Sequence, residues 1–192
     1  MDALTALLGR TSPGRLIEPG PSSDELHAIL EAGASAPDHG RLRPWRFIII
    51  GDEARAGFGD VLAAALAQRE PSAPPQKLEA ERKKPLRAPC IIVVVAKPRN
   101  HPGVPHIEQL FAAAACTQNI LLAAHALGFG GFWRTGVSAY DDVVKEALGV
   151  FASEQIIGYI YVGTVAASGK SREIDISQSV MRWEGPQHGP DT

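Results

Sequence analysis

Three stretches of this chain carry side chains suited to holding a ligand. Arg10-Thr11-Ser12-Pro13-Gly14-Arg15 packs two cations and two hydroxyls around a turn, and Lys170 and Arg172 supply a second cationic turn near the end of the 192 residues. A phosphate monoester is held best by several charge-assisted donors converging from separate segments, so the two turns together point to one. Gly128-Phe129-Gly130-Gly131-Phe132-Trp133-Arg134-Thr135-Gly136 sets bare backbone beside an aromatic, a cation and a hydroxyl, a place where a flat polar ligand can meet main chain. The third stretch, Ala36 to Trp45, is a polar loop with Asp38 next to His39 and with Arg41 and Arg43 further on. An imidazole can move protons near neutral pH. A lone loop histidine is more often structural or ligand-orienting than catalytic, and His39 is read in that way.

Other chemistries leave no mark. There is no nucleophile elbow, P-loop or zinc-spaced Cys/His set. Gly128-Phe129-Gly130-Gly131 is not a dinucleotide fingerprint, because a helix precedes it and a strand follows. Cys90 and Cys116 lie in apolar runs and read as buried thiols of a reducing compartment. Net charge is -2, so nothing global attracts nucleic acid or an anionic membrane. The first residues lack the basic and apolar segments of a signal peptide, and the expected location is cytoplasmic.

Helices and strands must bring the three stretches together. Ile107 to Leu127 reads as one uninterrupted helix of roughly 30 Å, apolar on nearly every face and therefore buried on most sides. Its Glu108, Gln109, Gln118, Asn119 and His125 argue against a membrane span. Gly128 ends it, and Phe129 to Trp133 follows as a short strand. Asp2 can cap a first helix with Leu4, Leu7 and Leu8 at core spacing, and Ser22 with Glu25 forms a capping box for a helix ending near Gly33. A strand from Arg46 to Ile50 leads to a helix capped by Asp52, with Phe58, Leu62 and Leu66 on one face. Residues 70–88, with four prolines and no apolar period, read as a mobile excursion whose Glu79, Glu81, Arg82, Lys83 and Lys84 form a solvated face. Cys90 to Ala96 reads as a strand buried on both faces. A helix from Ser138 to Leu148, a strand from Gln155 to Val162 and a C-terminal extension over 165–192 complete the chain. The expected fold is α+β, a three-layer arrangement with a central four- or five-stranded mixed sheet flanked by helices, in a single domain over 1–192.

The order of these motifs resembles the FMN-dependent nitroreductase family, most of all its minimal bacterial branch. Arg10-Thr11-Ser12, Ala36-Pro37-Asp38-His39 with Pro44-Trp45-Arg46-Phe47, the segment from Gly128 to Gly136, and Gly163-Thr164 carry the resemblance in register over nearly the whole chain. The resemblance implies a homodimer with two FMN molecules at the subunit interface and NADH or NADPH as electron donor. By that similarity Arg10, Thr11 and Ser12 bind the phosphate and ribityl end, assisted by Lys170 or Arg172. Ser35, Pro37 and His39 line the flavin from the partner subunit. Trp133, Arg134 and Thr135 run along the isoalloxazine, and Arg10 or Arg134 supplies a cation near its N1–C2 edge. The flavin carries the chemistry, so no catalytic side chain is assigned. The implied acceptor is a nitroaromatic, a quinone or a similar small electrophile; dehalogenation, flavin fragmentation and a non-catalytic flavin-binding role are the alternatives. Arg41 and Arg43 stand where the family often has Asn and Gln, and the long insertions that roof the pocket in larger relatives are missing.

Overall fold

A computed structural model describes residues 1–167 and 174–185. Its centre is β3 (Cys90–Ala96), seven residues all buried. β3 pairs on one side with β2 (Trp45–Gly51) and on the other with β5 (Gln155–Val165). On its other side β5 carries β4 (Gly130–Arg134), and the two-residue β1 (Leu16–Ile17) pairs with its end at Thr164 and Val165. Every pair is antiparallel, which corrects the mixed sheet expected from sequence. β3 and β4 do run parallel to each other and are joined by the long helix, but β5 lies between them and pairs antiparallel with both.

The pleat divides the core. Ile92, Val94 and Ala96 face α5 (His106–Ala126) and α2 (Ser23–Ala34) in one cluster. Ile91, Val93 and Val95 face α3 (Ala54–Arg69) and α6 (Asp142–Ala147) in the other. Alternation along one strand thus serves both helical layers. The capping box at α2 forms as read, with the Ser22 hydroxyl accepting from Glu25 N–H and the Glu25 carboxylate accepting from Ser22 N–H. Asp52, by contrast, sits in the left-handed region (φ 42°) and makes no side-chain cap; Glu53 takes the cap position of α3.

Residues 70–88 are not irregular. They hold α4 (Pro75–Arg82), begun by a proline at its first position, and a 3-10 turn over Lys84–Arg87. Arg82 ties α4 to Asp60 of α3 at 2.7 Å, and a Cβ on Gly59 would lie 2.2 Å from the Arg82 carbonyl oxygen. The sequence lacks an apolar period here because charge pairs and one glycine contact, rather than a greasy stripe, seat the helix.

α1 (Ala3–Gly9) is capped by Asp2, but its leucines do not enter the core. Leu4 and Leu8 are 68% and 65% exposed, and Ala6 alone is buried. α5 likewise packs one face, through Ala112, Ala113, Cys116, Ile120 and Ala124, and leaves Ile107 and Phe111 uncovered. It is long and apolar enough to cross a membrane by length and composition, yet it lies against the sheet as a core helix. Both cysteines are free, and burial raises their thiols to about 11 at Cys90 and about 12 at Cys116.

Candidate functional site

β4 leaves the core at Trp133-Arg134-Thr135-Gly136, and a cavity of about 520 Å³ opens there between the sheet, α3, α4 and the Lys84–Arg87 turn. Trp133 is held by its indole N–H, which donates to the Ile157 carbonyl at 3.1 Å. Gly136 has φ 88° and ψ -175°, a conformation open in practice to glycine alone, and nothing lies within 4 Å of where a Cβ would be. The lip of the cavity is therefore bare main chain. The Tyr159 hydroxyl donates to the Ser138 carbonyl at 3.0 Å and pins the 3-10 turn Val137–Ala139 that follows.

Charge inside the cavity is unevenly satisfied. Arg69 pairs with Asp141, Lys77 with Glu70 and Lys84 with Glu81. Arg87 and Arg134 have no carboxylate partner among the described residues. The Arg134 guanidinium rests 3.9 Å from the centroid of Phe132 and 5.8 Å from that of Tyr161. Burial, and then the neighbouring charge of Arg87, lower the pKa of Arg134. Tyr161 is 6% exposed, its hydroxyl has no hydrogen-bond partner among the described residues, and burial raises its pKa.

The other expected site residues lie elsewhere. Arg10 Nη1 reaches the Thr11 carbonyl at 3.3 Å and the Ser12 hydroxyl at 3.2 Å, while its buried Nε has no partner. This turn abuts the start of β4, since a Cβ on Gly130 would lie 2.9 Å from Pro13 Cγ. From Gly130 to Gly136 extended chain spans roughly 20 Å, so the turn and the cavity mark the two ends of one strand. Between Arg10 and Arg134, the candidates for the cation near the ring, only Arg134 lies in the cavity.

Ser35 ends α2 and donates its hydroxyl to the Ala32 carbonyl; Pro37 is exposed. His39 Nδ1 lies 2.6 Å from a Glu108 carboxylate oxygen in the first turn of α5. The Arg10 turn lies at the other end of that helix, where Gly9 meets His125. Seventeen residues of helix put these groups about 25 Å apart within one chain. Lys170 and Arg172 fall outside the described residues. Arg41 and Arg43 both take left-handed backbone (φ 53° and 47°), and the Asp38 carboxylate accepts from Arg43 N–H. Each is a strained conformation for a residue other than glycine.

Sequence reasoning missed Arg87, Tyr161, Arg69 and the inward side of Glu81 and Lys84. Arg87 had one usable signal, its place just before the fully buried strand Cys90–Ala96, and the charge run around it concealed that.

A model of the nitroreductase family matches residues 17–164. YdjA of Escherichia coli (strain K12), which carries the provisional name of an NAD(P)H nitroreductase, is 42% identical over 166 residues, 85% of this chain and 88% of its own. A Haemophilus influenzae protein with the same provisional name is 35% identical over 165 residues, 85% of this chain and 89% of its own. Among solved structures, a nitroreductase-like family protein from Bacillus cereus is similar with a TM-score of 0.82 over 96% of this chain and 97% of its own. At 22% identity that likeness concerns the fold. A provisionally named nitroreductase from Desulfovibrio desulfuricans, solved in complex with FMN, is 28% identical with a TM-score of 0.72 over 95% of this chain and 97% of its own.

Proposed function

The chain belongs to the nitroreductase family, and from that premise we propose that it is an FMN-dependent oxidoreductase. It draws electrons from NADH or NADPH and delivers them to a nitroaromatic, a quinone or a similar small electrophile. The observation that carries this reading is the cavity at the exit of β4, which is lined by the glycine-only backbone of Gly136, by Tyr161 and by two unneutralised arginines.

These residues fit a flavin. The bare main chain at Thr135-Gly136 can approach the ring edge without a side chain in the way, and Trp133 beside it is fixed by its hydrogen bond to Ile157. The Arg10-Thr11-Ser12 turn, one strand-length away, is suited to the phosphate of a ligand with its ring system in the cavity. Lys170 or Arg172 would assist there. Once bound, the flavin supplies the chemistry, accepting a hydride from the nicotinamide donor and passing the electrons to the acceptor. The chain's own part is to orient and to bias charge. Arg134 would place a cation at the ring end, the Tyr159 hydroxyl pins the 137–139 turn through the Ser138 carbonyl, and no side chain is asked to move a proton.

A shared site is supported by the roughly 25 Å along α5 between the Arg10 turn and His39. One chain cannot bring both to a single ligand, whereas two copies packed antiparallel along α5 can. The uncovered Leu4, Leu8, Ile107 and Phe111, with Ile176 and Trp183 of the C-terminal extension, supply apolar surface for such a homodimer. Two free thiols agree with a cytoplasmic location.

Anaerobic titration with NADH and with NADPH tests the reading. Bleaching of an oxidised-flavin spectrum by either donor, and its return on adding a nitroarene or quinone, is the expected result. A protein that takes up no FMN would end the proposal.

A further inference from the structure

The cavity holds more positive charge than its own acids neutralise. Three of its cations, Arg69, Lys77 and Lys84, are matched one to one by Asp141, Glu70 and Glu81. Arg87 and Arg134 are not matched by any described carboxylate, both line the cavity, and the charge of Arg87 disfavours the charged form of Arg134. Two unneutralised like charges in one cavity repel each other when it is empty and are favoured when it receives negative charge. Glu81, Arg87, Arg134 and Tyr161 all line this cavity, with the Arg134 guanidinium 5.8 Å from the Tyr161 ring centroid.

Resting on the flavin reading above, we infer that Arg87, which nothing in the motifs assigns, acts with Arg134 and Tyr161 as an anion-favouring wall that tightens binding of reduced FMN over oxidised FMN. Two-electron reduction adds a hydride from the nicotinamide at N5 and leaves a negative charge on the N1–C2=O edge while N1 stays unprotonated. Oxidised FMN has no charge on its ring. A pair of cations at that edge therefore acts on one redox state and barely on the other, which is how a protein shifts the potential of a flavin. Arg87 is a positioning and potential-setting residue here, carried by the 3-10 turn Lys84–Arg87 that α4 delivers to the cavity.

Glu81 makes the inference sharper, because it brings the opposite charge to the same space. Arg87→Gln should lower the two-electron midpoint potential of bound FMN, and Glu81→Gln should raise it. A tenfold loss of preference for the reduced form corresponds to about 30 mV for such a couple, and that is the size expected for Arg87→Gln. Arg87→Lys, which keeps the charge, should restore most of it. A merely structural role would move both variants the same way and would not be rescued by lysine.

The measurement uses the FMN-loaded full chain reduced against a reference dye, together with the affinity of oxidised flavin for sulfite. Sulfite adds at N5 and leaves its electron pair on the N1–C2 edge, so it reports the same charge without turnover. Opposite shifts for Arg87→Gln and Glu81→Gln, with sulfite binding about tenfold weaker in the first, support the inference. Unchanged potentials in both variants, with wild-type FMN content, overturn it and leave the flavin reading standing. Where Arg87→Gln fails to retain FMN, Glu81→Gln decides alone, and an unchanged or lowered potential there overturns the inference. A wild-type protein that takes up no FMN removes both readings.

Discussion

The two ends of β4 are finished to different degrees. At its exit, the cavity is complete within one chain, with walls from α3, α4, the Lys84–Arg87 turn and β5, and a tryptophan fixed by hydrogen bonding. At its start, the Arg10 turn stands beside exposed leucines, and His39, which would help complete it, lies at the opposite end of α5. Under the proposed function, a single chain would preorganise the place of ring chemistry and leave the tail of the ligand to be closed by assembly. That division would put the precise contacts on a rigid sheet, where geometry is held best, and binding strength under the control of dimer formation.

The largest expected effect breaks the finished end. Gly59→Ala forces a Cβ to 2.2 Å from the Arg82 carbonyl oxygen, main chain that cannot swing aside. It should cost about 3 kcal/mol by denaturant unfolding and push α4 and Arg87 away from the cavity. Retained stability would show that α4 is not seated as described.

Next comes the anchor of the loop that reaches outward. Arg46, directly after Trp45, makes a two-pronged pair with the buried Glu154 (2.8 and 2.7 Å), and Glu154 also accepts from Phe151 N–H at 3.0 Å. Glu154→Gln should cost about 2–3 kcal/mol. The hydrogen bond from Arg46 holds the Glu154 carboxyl below its ordinary value of 4.5. Its stabilisation is therefore present above that value and lost as pH falls through the depressed one. Wild-type stability should drop more steeply than that of the variant below pH 4.5, and parallel curves would contradict the assignment.

Much of this architecture could be read from the residues. The apolar run Cys90–Ala96 predicts a fully buried strand because every position is Ile, Val, Ala or Cys, and Ser22 with Glu25 predicts a helix start because the two residues cap each other. The segment Trp133-Arg134-Thr135, singled out by its composition, lines the cavity. Other features were hidden for physical reasons. Leu4, Leu7 and Leu8 have core spacing, but spacing does not say which chain's core they serve. Residues 70–88 fold through ion pairs such as Arg82–Asp60, which leave no apolar period. A long helix joins β3 and β4, which run parallel, and the insertion of β5 between them makes each described pair antiparallel rather than mixed. Arg87 and Tyr161 come together from segments 74 residues apart, a distance that no local pattern spans.

Smaller effects sharpen the contrast at the unfinished end. Arg10→Ala should weaken FMN retention by about 1.5–3 kcal/mol in a folded dimer, read by equilibrium dialysis, with unfolding unchanged. Unaltered affinity would remove Arg10 from the site. Phe111→Ala takes away a ring that is 63% exposed in one chain, and should cost the dimer about 1–2 kcal/mol by sedimentation equilibrium without changing the cavity. Dimerisation unaffected by that change would place the interface elsewhere.

The shared site is tested most directly by mixing two defective chains. Homodimers of Arg10→Ala and of His39→Ala each carry two damaged sites, because every site needs the turn of one protomer and the loop of the other. A heterodimer of the two variants, purified through different tags, concentrates both changes in one site and leaves the second intact. The expected result is one FMN per heterodimer bound with wild-type affinity. Two equally weak sites, each no better than those of the parent homodimers, would mean that the turn and the loop do not meet across an interface.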